Sequence, residues 1–471
     1  MRFVPNVIAG DERPAACGET FAKLAPATGE AISAVARSRK EDVDAAIAAA
    51  AAAQPGWAAR PLPERGAILR RIAQLLERDR DAVAALVAEE TGKAAKDAAG
   101  ETDGAIELGY FMAGEGRRFY GKTIPSATPN RYAQTLRQPL GVAGLIIAAN
   151  TPIANVAWKA FPALICGNAA VLKASEDTPE TAVAFARLAQ EAGLPDGVLN
   201  VVQGFGDEAG QPLVEDPRVA IVSFTGSTSV GRLIARVAGE RLAKICLELG
   251  GKNPLVVCDD ADLAQAADAA VLSAFSNAGQ RCAAGSRLIV FDAVYDAFKD
   301  LLVERVGALT ADGVGPVINE RQLESMLGAI ERAGATLTGG KRVDRPGFYL
   351  EPTIVEQPAA DQDVARTELF GPITTLHRVA GFEEAIELAN STSYGLTAAI
   401  WTRSIHRGQE FVRRVVAGGV QVNGPTYGFE PHVPFGGERD SGTGWREPGT
   451  EALDVYSDWK TVYVTHDPGA V

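Results

Sequence analysis

At 471 residues the chain exceeds one ordinary domain and implies two or three. Hydrophobic residues make up 46% and charged residues 22%, a balance that supports a large core and excludes pervasive disorder. The 46 Lys plus Arg against 59 Asp plus Glu leave a net charge of −13, which argues against a nucleic-acid surface built on clustered positive charge. No apolar span reaches the roughly 18 residues of a membrane crossing. The opening "MRFVPNVIAGDERPAACGET" has neither the apolar core nor the cleavage pattern of a secretory signal, so a reducing, cytoplasmic setting is expected. Cys17, Cys166, Cys246, Cys258 and Cys282 show no CxxC spacing, and His377, His406, His432 and His466 show no ligand spacing. Disulfide scaffold and metal cluster are both poorly supported, and no metal is expected.

Residues 41–99 read as two amphipathic, Ala-rich helices, "EDVDAAIAAAAAAQPGWAA" and "ERGAILRRIAQLLERDRDAVAALVAEETGK". The period then changes. "VAGLIIAAN" (142–150) is a continuous apolar run of the kind expected of a strand buried on both faces. A helix through Trp158 and Leu164 follows, then the strand "AAVLKAS", the helix "PETAVAFARLAQEAGL" and the strand "GVLNVVQGFG". "VAIVSFTGSTSVGRLIARVAG" reads as strand, glycine turn and helix. This alternation predicts an α/β fold with a doubly wound parallel sheet, its ligand at the loops after the strands. A second alternation runs from "CLELGGKNPLVVCDD" to about residue 430 and contains Cys282. The segments 130–140 and 452–464 read as β and lie outside both alternations, as an oligomerisation arm would.

Candidate ligand contacts follow from these positions. "GFGDEAG" (204–210) and "FTGSTSVG" (224–231) place glycines between strand and helix, where the backbone can approach a phosphate and free amides point at it. Most such turns are plain connectors, so neither is decisive alone. Lys173 and Glu176 fall just past a strand end, where a ribose would lie, although a snorkelling surface lysine explains Lys173 equally well. Taken alone, Cys282 in "SNAGQRCAAG" reads more readily as a buried inert thiol. Asn150 reads as a helix N-cap; Glu248, in "LELGG", is a carboxylate between two leucines whose burial would suit a base, with a salt-bridged carboxylate at a domain junction as the alternative.

Together, "AANTPIANVAWKAFPAL" (148–164), "VLKASEDTP", "FTGSTSVG", "LELGGKNP", "NAGQRC", "ELFGP", "YGL" and "PFGG" resemble, in order and spacing, the NAD(P)-dependent aldehyde dehydrogenase superfamily. The resemblance implies a Rossmann-type parallel-sheet cofactor domain (1–121 and 141–247), a second α/β catalytic domain (248–430) and a β arm (122–140 and 448–471). It implies oxidation of an aldehyde to the acid through a thiohemiacetal and thioester on Cys282. Thiolates suit this chemistry because they are strong nucleophiles even when partly ionised. Asn150 and the Cys282 amide would hold the oxyanion, and Glu248 would act as general base on the thioester. Cofactor contacts carried over in the same way are Lys173, Ser175, Glu176, Gly206, Gly226, Ser227, Val230, Gly231, Leu249, Glu368 and Phe370. A carboxylate at Glu176 repels a 2′-phosphate, so NAD is expected over NADP.

Some positions depart from the family pattern. Ala149 and Thr151 flank Asn150 where aromatics are usual, widening the site or making it more polar. Ala174 stands where proline is common, and Glu438 and Arg439 follow the last glycine pair in place of a lysine. Arg281, with "GEGRRFYGKTIPS" (114–126), looks more like relatives acting on semialdehydes of carboxylic acids, its guanidinium anchoring the distal carboxylate; a loop tie is the plainer reading. The rival readings are a CoA-acylating relative, which generally lacks the base, and a non-catalytic homologue, which would not need Asn150, Glu248 and Cys282. A zinc alcohol dehydrogenase and a cysteine hydrolase find no histidine arrangement to support them. The partners expected are a small-molecule aldehyde and further copies of the chain, as homodimer or homotetramer, with neither nucleic acid nor membrane.

Overall fold

The computed structural model describes residues 1–470. A seven-stranded sheet runs in the order Lys244–Glu248, Val219–Thr225, Val142–Ile146, Ala169–Lys173, Leu199–Val202, Asn6–Ile8 and Asp11–Arg13. The first five strands are parallel, and the short amino-terminal pair adds antiparallel at the edge. The period-2 alternation of buried strands sets the layers. Leu145 and Leu172 face a core with Phe161 and Phe185, whereas Ile146 and Val171 face a second core with Val43 and Ile47. Helices Pro152–Ile165 and Pro179–Glu191 cover the first face, where Phe161 meets Phe185 edge-on at 5.5 Å. Helix Lys40–Ala59 lies on the other. Truncating a ring such as Phe161 to alanine typically costs about 3–5 kcal/mol.

Chain order reverses between Val142–Ile146 and Val219–Thr225, so a crevice opens at their carboxyl ends, where such sheets bind ligands. A second, six-stranded parallel sheet is ordered Thr353–Glu356, Ile373–Val379, Gly285–Phe291, Asn253–Val257, Thr397–Trp401 and Gly419–Val422. After residue 430 the chain returns to the first lobe: Ser441 accepts the Leu249 amide at 3.0 Å, and Gly442 bridges to Glu248. Strands Thr123–Pro125, Arg131–Pro139 and Ser457–Thr465 form a separate antiparallel sheet. Among the described residues no helix is long and apolar enough to cross a membrane.

The structure differs locally from the sequence reading. The second long helix expected in 41–99 is two, Leu62–Arg78 and Arg80–Thr91, because Asp79 leaves helical geometry (φ −99°, ψ 16°). A further helix, Ala95–Gly114, follows. The strand expected over 142–150 ends at Ile146, which frees Asn150 to reach into the crevice. The tail segment begins as a helical turn, Ala452–Val455, before its strand.

Candidate active site

Cys282 sits between helix Leu263–Phe275 and strand Gly285–Phe291, on a loop held in unusual backbone geometry. Asn277, Ala278 and Gly279 have φ of 54°, 52° and 65°. The two non-glycine residues each store roughly 1–2 kcal/mol there, which surrounding contacts must repay. Those contacts are present. The Gln280 amide donates to Asn277 and Pro316 carbonyls and accepts the Ile318 N–H at 2.8 Å. A side chain at Gly279 would strike the Gly371 carbonyl, 2.1 Å from its Cβ. Asn253 fastens the far side, its Nδ2 donating to the Cys282 and Ala284 carbonyls at 2.8 and 2.9 Å.

Asn150 is not an N-cap; that position belongs to Thr151. The Asn150 Nδ2 donates to the Gln280 carbonyl at 3.0 Å, which leaves its second proton for the cavity it shares with Cys282. No acceptor among the described residues takes the Cys282 N–H. Two free donors therefore flank the sulfur, the arrangement an oxyanion requires. The Asn150 carbonyl accepts from Lys93 Nζ at 2.7 Å. Lys93 is in turn paired at 2.5 Å with Glu101, both side chains buried.

Glu248 ends strand Lys244–Glu248 and projects into the same cavity, of about 340 Å³. Both carboxyl oxygens are buried without a hydrogen-bond partner among the described residues. Burial, reinforced by Glu447, pushes its pKa well above the usual carboxyl range, against the opposing pull of Lys159 and Arg446. Glu447 is held by Lys159 at 3.0 Å and by the Tyr456 hydroxyl at 2.7 Å. The half-buried Cys282 thiol is pushed up to about 12 by burial and by the Glu368 and Glu248 carboxylates, while the Ala283 amide and Arg281 pull it down. At neutral pH the thiol rests protonated, and a positive charge entering the cavity is what would ionise it.

The expected cofactor contacts fall into two adjoining cavities. Ser175, Gly226, Leu249, Glu368 and Phe370 line the one that holds Cys282. Lys173, Glu176, Gly206 and Val230 line a second of about 400 Å³, and Ser227 lines both. Gly231 lines neither; it lets the helix close on Leu249, whose Cδ2 lies 2.5 Å from where a Cβ would stand. Lys173 pairs with Glu176 at 3.1 Å. Burial raises the Glu176 carboxyl, but Lys173, its own amide and Arg321 outweigh that and hold it below the usual range. The slot between Ile146, Phe224, Leu233 and Ile234 is apolar and opens beside this ion pair, fitting a flat base with its ribose at Lys173 and Glu176. Glu368 accepts the Gly251 N–H at 3.0 Å, and burial lifts its pKa to about 7 against Gly251 and Lys252. Phe370 is held at φ 56°, a further strained residue turned to the cavity.

A strained loop carrying a thiol, two free donors beside it and an apolar slot at a sheet's switch point are the features of a nucleotide-dependent oxidoreductase. The aldehyde dehydrogenase family model matches residues 14–462. The chain is 42% identical over 460 residues to a 2,5-dioxopentanoate dehydrogenase of Saccharolobus solfataricus, covering 95% of this chain and 96% of that protein. Among solved structures, an NADP-dependent enzyme of E. coli superposes with TM-score 0.95 at 35% identity, covering 99% and 98% of the two chains. A Staphylococcus aureus betaine aldehyde dehydrogenase in complex with NAD+ superposes with TM-score 0.96 at 32% identity, covering 98% and 95%. The chain belongs to the aldehyde dehydrogenase family: it oxidises an aldehyde to the carboxylic acid with NAD(P) as hydride acceptor. The residues missed from sequence are Lys93, Glu101, Asn253, Lys159 and Glu447. They are buried polar groups, and apart from the Lys93–Glu101 pair, eight residues apart, their partners lie far off in the chain.

Proposed function

We propose that this chain oxidises a carboxylate-bearing semialdehyde with NAD, using Cys282 as nucleophile, Asn150 and the Cys282 amide as oxyanion donors, and Glu248 as base. The observation that carries the reading is the meeting of Asn150, Glu248 and Cys282 in one cavity beside the dinucleotide slot. The sulfur adds to the aldehyde carbon, and the oxyanion forms against two donors already oriented, each typically worth ~10²–10³ in rate. The bound nicotinamide supplies a hydride acceptor. Loss of hydride leaves a thioester on Cys282. Glu248, once ionised, takes a proton from water as that water attacks the thioester; the acid leaves and the thiol is restored. Desolvation makes Glu248 a stronger base than an exposed carboxylate.

Glu176 supports NAD, since its carboxylate stands where a 2′-phosphate would be repelled. Arg281 supports the semialdehyde. Its Nε donates to Ser276 at 3.3 Å and it lies over the Tyr427 ring at 4.6 Å, with Asp97 no nearer than 3.9 Å. Both terminal nitrogens lack a hydrogen-bond partner among the described residues, which suits a bidentate carboxylate. The S. solfataricus relative is named for such a substrate. Arg281→Ala should raise KM for 5-oxopentanoate ~10- to 100-fold and leave pentanal unchanged; equal changes for both would overturn the anchor.

The same reading assigns cofactor binding to 1–121 and 141–247, the nucleophile to 248–430, and assembly to 122–140 with 448–471. The arm sheet exposes Tyr132 and Leu136 on one face and Trp459 and Tyr463 on the other, an apolar two-sided surface that a homodimer or homotetramer would cover. All five cysteines are free, as expected of a reducing cytoplasmic setting.

A further inference from the structure

We propose that Thr151, oriented by Asn155, forms a polar subsite that donates a hydrogen bond to a keto oxygen on the carbon chain of the substrate. This rests on the semialdehyde reading and specifies which semialdehyde is preferred. A threonine at a helix N-cap ordinarily turns its hydroxyl back to accept an amide proton of the first turn. Thr151 makes no such bond at the start of helix Pro152–Ile165. Glu101 takes that task from the neighbouring helix, its Oε1 accepting from Ile153 N at 2.9 Å and Ala154 N at 3.3 Å. The Thr151 hydroxyl is released.

One turn further on, Asn155 is 5% exposed and donates Nδ2 to the Thr151 carbonyl and to Thr151 Oγ1, both at 2.9 Å. A carbonyl can only accept, so the first bond fixes which end of the amide faces inward. The second then fills Thr151 Oγ1 as an acceptor and leaves its proton for another partner. No acceptor among the described residues takes that proton. Thr151 and Asn155 line the cavity of Cys282, beside Trp158 and Phe435, which meet edge-on at 5.6 Å. Beside these two rings, one oriented O–H donor discriminates strongly, because a substrate without an acceptor leaves it unpaired when water is expelled. Asn155 is a positioning residue here; Thr151 is the group that touches substrate.

The test is kcat/KM for 2,5-dioxopentanoate, 5-oxopentanoate and pentanal, measured on the full enzyme and on Thr151→Val, Thr151→Ser and Asn155→Leu. The first two substrates differ only in the keto group. The unaltered enzyme should favour the keto acid about tenfold, the worth of one neutral hydrogen bond. Thr151→Val should abolish that preference by lowering kcat/KM for the keto acid alone, chiefly through KM. Thr151→Ser should keep the preference, and Asn155→Leu should weaken it. No preference in the unaltered enzyme, or a Thr151→Val loss equal for both acids, would overturn the subsite. Pentanal separates the two ideas: if it is oxidised as well as 5-oxopentanoate, the semialdehyde reading itself fails.

Discussion

Replacing Glu101 by leucine tests how Asn150, the proposed oxyanion donor, is held. Lys93 and Glu101 bury their side chains to 2% and 4% exposure and pair at 2.5 Å. Breaking such a pair from one side leaves an uncompensated buried charge, about 3–5 kcal/mol. The same change uncaps helix Pro152–Ile165 at Ile153 and Ala154, about 0.5–2 kcal/mol more. Glu101→Leu should therefore lose roughly 3.5–7 kcal/mol in urea unfolding followed by tryptophan fluorescence. Lys93→Met/Glu101→Leu should recover most of the ion-pair part, since no charge is stranded. It should still turn over at least about tenfold slower, because the Asn150 carbonyl has lost its Lys93 donor. A double variant as unstable as the sum of the two single ones, or one with full kcat, would refute the reasoning.

Two further outcomes follow from charge placement. Glu176→Gln removes the carboxylate beside the ribose position and should raise kcat/KM with NADP ~10-fold or more relative to NAD; an unchanged ratio counts against Glu176 as the discriminator. Glu90 is pushed up to about 7 by burial, although the Thr181 hydroxyl and the amides of Glu180 and Thr181 donate to it. A carboxyl raised in the folded state contributes stability below its unfolded pKa of about 4.5 and loses it as pH rises through about 7. Glu90→Gln should remove that part of the decline, on the order of 3 kcal/mol, when unfolding is compared at pH 5 and pH 8.5. A variant that declines as steeply as the unaltered enzyme would contradict it.

The parallel strands are legible in the sequence because burial on both faces leaves continuous apolar runs such as 142–146 and 169–172, and glycine turns mark where the strands Leu199–Val202 and Val219–Thr225 feed helices. The role proposed for Cys282 is legible only through its surrounding blocks, since one cysteine among small residues carries no signal of its own. Lys93, in the turn between two helices, and Glu101, in the second turn of helix Ala95–Gly114, look like surface charges, yet folding buries them together. Lys159 and Glu447 meet across 288 residues, a pairing that no local pattern encodes. The break at Asp79 lacks the glycine or proline that would mark it. The amino-terminal strands span only three residues each, too short for a period to show. Thr151 was visible as a departure from the family pattern, but the release of its hydroxyl depends on Glu101, fifty residues earlier in the chain.

The covalent step is tested most directly by intact mass and peptide mapping of Glu248→Gln after mixing with NAD and 5-oxopentanoate. With hydrolysis stalled, one equivalent of NADH per subunit should form and an acyl mass should appear on the peptide bearing Cys282, with Cys282→Ala giving neither. Steady turnover by Cys282→Ala, or an adduct on any other residue, would contradict it.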